Sequence, residues 1–290
     1  MSGLLTNEPQ ACVTGHPIAH SRSPLIHNYW LKSLDLKGHY GRVDTPPDQF
    51  PAFIRTMREK GYVGCNVTLP NKERAFHLAE KTTARAQLMQ AANTLWFEGE
   101  TLCADNTDIE GFLANLDQQR PHWDQSLEKA VVLGAGGAAA AVLLGLIERQ
   151  AERIILVNRT KEKAEQLAAR FIESRSPSLI EIYSFDDLHH VLAGATFLVN
   201  TTSLGMKGQP PLSLDLSPMR SDAIVTDIVY VPLITPLLRH AKDAGLAAID
   251  GLGMLLHQAV PGFEHWFGKR PEVTPELRAL VEGDIIAGAS

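Results

Sequence analysis

A glycine-rich turn between an apolar strand and an apolar helix constrains the fold of this chain more than any other feature. The strand at residues 131–133 runs directly into the sequence GAGGAA at 134–139, and a long apolar helix follows. Glycine permits a tight turn and a close approach of the backbone to a ligand, and a helix N-terminus offers N–H donors to a pyrophosphate. This context predicts a dinucleotide-binding turn, and a packing turn without ligand is the alternative. The predicted turn comprises Gly134, Ala135, Gly136, Gly137 and Ala138.

Apolar segments alternate with helical patterns on both sides of this turn. From residue 11 to 105 the alternation predicts an α/β layer with parallel strands, closed by a hairpin at 94–97 and 101–104. Beyond the polar stretch at 117–129, which predicts a loop, short apolar strands predict a doubly wound parallel sheet. These strands lie at 130–133, 153–157, 179–183, 196–199, 224–228 and 247–249. We therefore predict a first domain at 1–107, a dinucleotide-binding domain at 108–250, and C-terminal helices at 251–290 that pack on the first domain.

Composition excludes several classes of function. The 290 residues are 44% apolar and 21% charged, which is typical of a soluble protein large enough for two domains. A net charge of −6 argues against nucleic-acid binding, which needs a basic stripe. The longest apolar stretch, at 138–147, is too short to cross a bilayer, and residues 1–8 lack the pattern of an export signal. The three cysteines are far apart in the sequence, which indicates free thiols rather than disulfides, and no Cys/His spacing is typical of a zinc site. We expect a cytoplasmic protein without membrane or metal partners.

A lysine lies just beyond another predicted strand. The sequence NVTLPNK runs from Asn66 to Lys72. Enzymes of the α/β class gather reacting groups at the ends of strands, where a lysine can move a proton. A solvated surface lysine is the alternative. Polar runs at other predicted element ends favour the catalytic interpretation: HSRSP at 20–24, AANT at 91–94 and DNTD at 105–108.

The end of the second strand of the dinucleotide-binding domain predicts the cofactor. NAD enzymes usually have an acidic residue there, whereas this chain has the sequence NRTK at 158–161, with another lysine at 163. A guanidinium holds a phosphate in fork geometry, so Arg159 predicts NADP rather than NAD. A solvated basic turn is the alternative. The predicted 2′-phosphate contacts are Arg159, Thr160 and Lys163, and Asn158 belongs to the same cofactor-binding set. Thr202 and Ser203 after the fourth strand are predicted to face the ribose and nicotinamide.

Together these blocks resemble the shikimate dehydrogenase family, roughly from residue 13 to 267. The family patterns SxSP, NVTxPxK, AxNT, NTD, GAGGA, NRT, NxTSxGM, DxxYxPxxTP and GxxMLxxQ all have matches here, in the same order. The resemblance implies an N-terminal α/β substrate-binding domain, a Rossmann NADP-binding domain, and shikimate and 3-dehydroshikimate as ligands. A homodimer is a candidate assembly.

The resemblance also implies roles for individual residues. Lys72 and Asp108 would form the catalytic pair, with Lys72 giving a proton to the reduced carbonyl oxygen and Asp108 holding the lysine in position. The implied substrate-binding residues are Ser21 and Ser23 for the carboxylate, Thr68 and Asn93 for the ring, Gln258 for the ring hydroxyls and Tyr230 lining the cleft. Gly251 joins the cofactor-binding set.

Several of these residues have structural alternatives. Ser23, followed by Pro24, is predicted to cap a helix, and capping could be its whole role. Ser21 could be a bystander, Tyr230 could belong to the core between two valines, and Asn93 and Asp108 could be turn residues.

The chain departs from the family pattern at four places. Gln90 replaces a common glycine before the asparagine loop, and Ala140 replaces a common arginine in the cofactor helix. Asn71 precedes the lysine where Phe, His or Tyr is frequent, and Ile109 with Glu110 fills a site that usually starts with a small residue. None of these removes a group assigned to catalysis, although they leave room for altered substrate preference.

The leading hypothesis is an NADP-dependent shikimate dehydrogenase. A quinate/shikimate dehydrogenase paralogue is the nearest alternative, and the basic sequence at 158–160 favours NADP and therefore the first hypothesis. A non-catalytic shikimate-binding sensor with the same fold is a further alternative, and the presence of Lys72 and Asp108 argues against it.

Overall fold

The computed structural model describes residues 8–172 and 179–288. The described residues form two compact units, one drawn from the ranges 1–107 and 258–281 and the other from 108–257 and 282–290. Among the described residues, no helix has the length and apolar content needed to cross a membrane.

The first unit is built on a mixed sheet of six strands. Its elements before residue 107 are β1 (Gln10–Gly15), α1 (Ser23–Ser33), β2 (His39–Asp44), α2 (Phe50–Thr56), β3 (Tyr62–Val67), α3 (Lys72–Leu78), β4 (Lys81–Thr82), α4 (Ala84–Met89), β5 (Thr94–Glu98) and β6 (Thr101–Asp105). The strand order is β2-β1-β3-β5-β6-β4. β1 pairs in parallel with β2 and β3, and the predicted hairpin β5–β6 is confirmed, with Gly99 in its turn at φ +62°. β5 is antiparallel to both β3 and β6, so the sheet is mixed, whereas the sequence predicted parallel strands closed by a hairpin.

The second unit is a doubly wound sheet, as predicted. Its elements are α5 (Asp108–Gln119), β7 (Lys129–Leu133), α6 (Gly137–Glu148), β8 (Arg153–Val157), α7 (Lys161–Ile172), β9 (Leu179–Tyr183), α8 (Leu188–Leu192), β10 (Phe197–Asn200), β11 (Ile224–Asp227), α9 (Pro236–Asp243), β12 (Ala247–Ile249) and α10 (Leu252–His257). All six predicted strands are present and parallel, in the order β12-β11-β10-β7-β8-β9. The order reverses between β7 and β10, where such sheets bind ligands.

Two further helices end the chain, α11 (Ala259–Phe267) and α12 (Pro275–Ala287). Within the first unit, α11 packs on the sheet through Trp266, whose indole N–H donates to the carbonyl oxygen of Leu95 at 2.9 Å. Gly64 on β3 makes room for this ring, since a Cβ there would lie 2.1 Å from Trp266 Nε1. The small residue in the strand therefore allows helix and sheet to approach closely.

Two boundaries differ from the predicted ones. α10, at 252–257, belongs to the second unit, whereas the prediction assigned 251–290 to helices on the first domain. The reason is a close contact with α5: the carbonyl of Asp250 accepts from Asn115 Nδ2 at 2.8 Å, and a Cβ on Gly253 would lie 1.8 Å from Asn115 Oδ1. The predicted loop at 117–129 is also partly helical, because α5 continues to Gln119 and a 3₁₀ turn follows at Trp123–Ser126.

Candidate active site

The lysine predicted from the sequence begins α3, immediately after a tight turn. Backbone bonds fix this turn: Thr68 N donates to Thr14 O at 2.9 Å, and Asn71 N donates to Thr68 O at 3.0 Å. The fully buried Asn71 side chain adds a bond from Nδ2 to Thr45 O at 2.9 Å. Lys72 is partly buried and extends from an anchored backbone. The Asn71 departure from the family pattern therefore contributes a specific contact of its own.

The lysine turn is bonded to the asparagine loop within the same unit. The carbonyl oxygen of Lys72 accepts from the backbone N–H of Ala92 at 2.9 Å. The adjacent Asn93 donates its own N–H to Asp105 O at 3.0 Å, next to the hairpin end. Two predicted site residues, Lys72 and Asn93, are thus connected through a single peptide hydrogen bond.

The Asn93 side chain is buried, with 3% exposure, and its orientation is determined by its partners. Its Oδ1 accepts from Thr107 N at 2.9 Å and from Thr94 Oγ1 at 3.0 Å. Since donors occupy the oxygen, the amide nitrogen must face the other way, where it donates to Gln258 Oε1 at 3.4 Å. The structure therefore brings predicted residues Asn93 and Gln258 together.

Three polar residues that the sequence analysis did not assign support this cluster. Asn66 donates from Nδ2 to Asn93 O at 3.2 Å and accepts at Oδ1 from the Tyr40 hydroxyl at 2.6 Å. The ring of His27 stacks on that of Tyr40 with centroids 3.9 Å apart. An asparagine inside a predicted apolar strand was the available signal for Asn66, because a buried amide requires partners. Nothing local in the sequence identified Tyr40 or His27.

Burial sets the ionisation of this aromatic pair. It lowers the pKa of His27 to about 3, with the Asn66 side chain opposing the shift, so the imidazole is neutral near neutral pH. It also raises the pKa of the Tyr40 hydroxyl well above its usual value. The cluster behind Asn66 is therefore uncharged.

The two serines of the first block lie side by side. Ser21 Oγ is 3.3 Å from Ser23 Oγ and accepts from Ser23 N at 3.4 Å. The prediction of Ser23 as helix cap was wrong: α1 begins at Ser23 itself, its cap position is Arg22, and that cap has no side-chain hydrogen bond. The Arg42 guanidinium, which the sequence analysis missed, donates to Ser21 O from Nε at 3.0 Å and from Nη2 at 2.6 Å.

The glycine turn of the second unit has the backbone form that a dinucleotide needs. Gly134 has φ +105°, and a Cβ there would lie 2.8 Å from Thr201 Oγ1, so only glycine fits without strain. A Cβ at Gly136 or Gly137 would meet nothing within 4 Å, which leaves the backbone open to a ligand. α6 has no side-chain cap at its N-terminus, so its first N–H groups are available for phosphate oxygens. The turn fits a dinucleotide pyrophosphate.

The basic sequence after β8 forms the turn that leads into α7. Asn158 Nδ2 donates to Thr160 O at 2.7 Å, which fixes the turn into α7. Arg159, Thr160 and Lys163 are all exposed. Exposed cations at this strand end suit a 2′-phosphate.

The remaining predicted residues lie in the second unit. The loop after β10 is ordered by Asn200 Oδ1, which accepts from Thr202 N at 3.0 Å and Thr202 Oγ1 at 2.7 Å, and Ser203 follows. Tyr230 is half-buried rather than enclosed in the core, and Asp108 is the first residue of α5. Gly251 has a clear packing role, because a Cβ there would lie 2.4 Å from Ile228 O.

Comparison with known proteins identifies the family. The model of the shikimate dehydrogenase substrate binding domain matches residues 13–95, that of shikimate / quinate 5-dehydrogenase matches 116–252, and that of the shikimate 5′-dehydrogenase C-terminal domain matches 251–280. The shikimate dehydrogenase (NADP⁺) of Rhodopseudomonas palustris strain BisB18 is 54% identical over 97% of this chain and 99% of that protein. The chain belongs to the shikimate dehydrogenase family.

Solved structures agree with this membership. Shikimate 5-dehydrogenase from Thermus thermophilus, in complex with NADP(H) and shikimate, is 33% identical with a TM-score of 0.80, and the match covers 96% of this chain and 99% of that one. Quinate dehydrogenase from Corynebacterium glutamicum in complex with NAD is 25% identical with a TM-score of 0.88, covering 95% and 99%. The predicted shikimate dehydrogenase resemblance and two-domain α/β fold are confirmed.

Proposed function

We propose that this chain catalyses the reversible NADPH-dependent reduction of 3-dehydroshikimate to shikimate. This is the reaction of an oxidoreductase that acts on a CH–OH group, in chorismate and aromatic amino-acid biosynthesis. Family membership supports it, and one observation carries it: Asn93, oriented by Thr107 and directed at Gln258, is bonded through Ala92 to the lysine turn.

Lys72 is the proton donor in this proposal. When bound, NADPH supplies the hydride. Reduction leaves negative charge on the former carbonyl oxygen, and the Lys72 ammonium can donate a proton to it within hydrogen-bond reach. In the direction of alcohol oxidation the neutral lysine accepts that proton. Asp108 is assigned the task of holding the lysine, since it directly follows Thr107, whose backbone is fixed on Asn93.

Neutral donors bind the substrate. Ser21 and Ser23 present adjacent hydroxyls near the start of α1, and these suit a carboxylate. Asn93 Nδ2 and the Gln258 amide can pair with ring hydroxyls, because amides both donate and accept. We assign further ring contacts to Thr68 and Tyr230.

The second unit binds NADP. The turn formed by Gly134, Gly136 and Gly137 holds the pyrophosphate, and Arg159, Thr160 and Lys163 hold the 2′-phosphate. The absence of a carboxylate at residues 158–160 supports NADP over NAD, because a carboxylate there would repel that phosphate. Thr202 and Ser203 are assigned to the ribose and nicotinamide.

A cytoplasmic location and a homodimer complete the proposal. The three cysteines are free and buried, which is compatible with a reducing compartment. Sedimentation velocity of the purified protein tests the homodimer: a single species at the monomer mass would refute it.

Initial rates followed at 340 nm test the function. Shikimate and quinate are each combined with NADP⁺ and NAD⁺ at matched concentrations. We expect turnover with shikimate and NADP⁺ to exceed the other three combinations. Faster turnover with quinate would favour the quinate/shikimate paralogue, and binding of shikimate without turnover in any combination would favour the sensor.

A further inference from the structure

A buried carboxylate in the second unit has no part in the mechanism above. Asp227 is the last residue of β11 and is completely buried, and the hydrogen-bond donors around its carboxylate are neutral. Oδ1 accepts from Asn200 Nδ2 at 2.9 Å and from Val229 N at 3.0 Å, and Oδ2 accepts from Thr235 Oγ1 at 2.7 Å. Burial raises the pKa of this carboxyl to about 6, although all three hydrogen bonds oppose the shift. Such a group is costly to bury, so stability alone is a poor reason for its presence.

One side of the carboxylate organises the loop after β10. Because Asn200 donates to Asp227, its Oδ1 faces the loop, where it accepts from Thr202 N and Thr202 Oγ1. Thr202 Oγ1 in turn accepts from Leu204 N at 3.1 Å. This loop packs on the cofactor turn, since a Cβ on Gly134 would lie 2.9 Å from Thr202 Cγ2. Asp227 therefore fixes the amide that shapes the loop beside the glycine turn.

The same carboxylate also organises the segment that carries Tyr230, through both of its oxygens. Val229 N, immediately before the tyrosine, donates to Oδ1, and Thr235, beyond it, donates to Oδ2. Thr235 Oγ1 also accepts from Leu238 N at 3.3 Å and so caps α9. Both ends of the Tyr230 segment are thus fixed by one carboxylate.

We propose that Asp227 is a positioning residue. It holds the Thr202 loop and the Tyr230 segment in place, so that the binding of NADP and the binding of the cyclic hydroxy acid both depend on it. The inference rests on the cofactor and substrate roles proposed for Thr202 and Tyr230. It predicts that disturbing Oδ1, which bonds both Asn200 and Val229, weakens both ligands, whereas disturbing only Oδ2 leaves NADP binding largely intact.

Three full-length variants separate these effects. Asp227→Ala removes both carboxylate oxygens, which accept from Asn200, Val229 and Thr235. Asp227→Asn keeps an oxygen for Asn200 and Val229, while its amide nitrogen can donate to Thr235 Oγ1, which is also an acceptor. Thr235→Val removes the Oδ2 bond and the helix cap and is therefore the matched control for lost stability.

Isothermal titration calorimetry measures the dissociation constants for NADP⁺ and shikimate, and thermal unfolding is recorded for each variant. For Asp227→Ala we expect both dissociation constants to rise by about tenfold or more, because the three hydrogen bonds that hold the two segments are lost. For Asp227→Asn we expect both dissociation constants to stay within about threefold of the wild-type values. For Thr235→Val we expect a lower melting temperature and a dissociation constant for NADP⁺ within about threefold of the wild-type value.

Two results would overturn the proposal. One is unchanged binding of both ligands by folded Asp227→Ala. The other is an equal loss of NADP⁺ affinity in Thr235→Val and Asp227→Ala, which would indicate a general loss of stability. Calorimetry measures binding and does not require turnover. These two results are therefore distinct from an inactive wild-type chain in the 340 nm assay, which would refute the proposed reaction instead.

Discussion

Thr107 controls the direction in which Asn93 presents its amide. The backbone N–H of Thr107 donates to Asn93 Oδ1 at 2.9 Å, and the Thr107 hydroxyl lies 3.1 Å from the same oxygen. That hydroxyl is also 2.8 Å from the carbonyl oxygen of Gln258. Thr107, a residue of the NTD block that the sequence analysis left without a role, thus lies between the Asn93 side chain and the backbone of Gln258.

Removing this hydroxyl should weaken the substrate site selectively. For Thr107→Val, which keeps the shape and the backbone bond, we expect the KM for shikimate to rise by about tenfold through the lost hydroxyl hydrogen bond. The KM for NADP⁺ should stay near wild type. Thr107→Ser retains the hydroxyl and is the control, expected to behave almost as wild type. Equal KM values for shikimate in the Val and Ser variants would argue against the positioning role.

Lys72→Ala tests the proposed proton donor. Loss of a general acid typically lowers kcat by about 10²–10⁴-fold, and we expect a fall in that range with shikimate binding still detectable by calorimetry. Lys81→Ala is the matched control, because Lys81 is an exposed lysine of the same unit paired with Glu98 at 2.7 Å. Turnover by Lys72→Ala comparable to that of the control would refute the assignment.

Arg159→Ala tests the choice of cofactor. Removing a cation that pairs with a phosphate should raise the dissociation constant for NADP⁺ by about tenfold or more and leave that for NAD⁺ nearly unchanged. Arg153→Ala at the start of β8 is the control, since that guanidinium pairs with Glu181 at 2.7 Å. A similar loss for NADP⁺ and NAD⁺ in Arg159→Ala would contradict a specific role at the 2′-phosphate.

His27 should make folding of the chain sensitive to acid. Its pKa is about 3 in the folded state and near the ordinary 6.5 when unfolded, so the unfolded chain binds the proton first as pH falls. The stability is therefore fully present above about pH 6.5 and is lost toward pH 3, by up to about 1.4 kcal/mol per pH unit.

Denaturant titrations from pH 7.5 to 4.5, followed by tryptophan fluorescence, measure this dependence. His27→Phe keeps an aromatic ring against Tyr40 but does not titrate, so its free energy of unfolding should fall less steeply with acid. The exposed His39→Gln should retain the wild-type slope. Parallel slopes for His27→Phe and wild type would show that another group dominates.

Much of the architecture could be predicted from local patterns. The six strands of the second unit were predictable because each is a short apolar run, and the GAGGAA sequence located the tight turn between β7 and α6. The first unit was harder, since β4 has only two residues and leaves no periodic signal. The position of α10 depends on Gly253 meeting Asn115, a contact between residues far apart in sequence that local patterns do not encode.

The residues of the proposed site could be named from the sequence, but the contacts that support them could not. Lys72, Asn93 and Gln258 follow from motifs, whereas the roles of Arg42 and Thr107 depend on carbonyl groups brought near them only by folding. The error at Ser23 has a local cause: the Ser21 hydroxyl accepts the Ser23 N–H, so the helix starts one residue earlier than the Ser-Pro pair predicts.

The bond from Ala92 N to Lys72 O has a consequence for engineering. Substrate range is often altered by grafting one loop from a relative onto another scaffold. Here the loop proposed to bind the ring and the turn that carries the proposed proton donor share a backbone bond, so we expect a graft of either segment alone to displace the other. Exchanging both segments together is the design that should preserve rate while changing specificity.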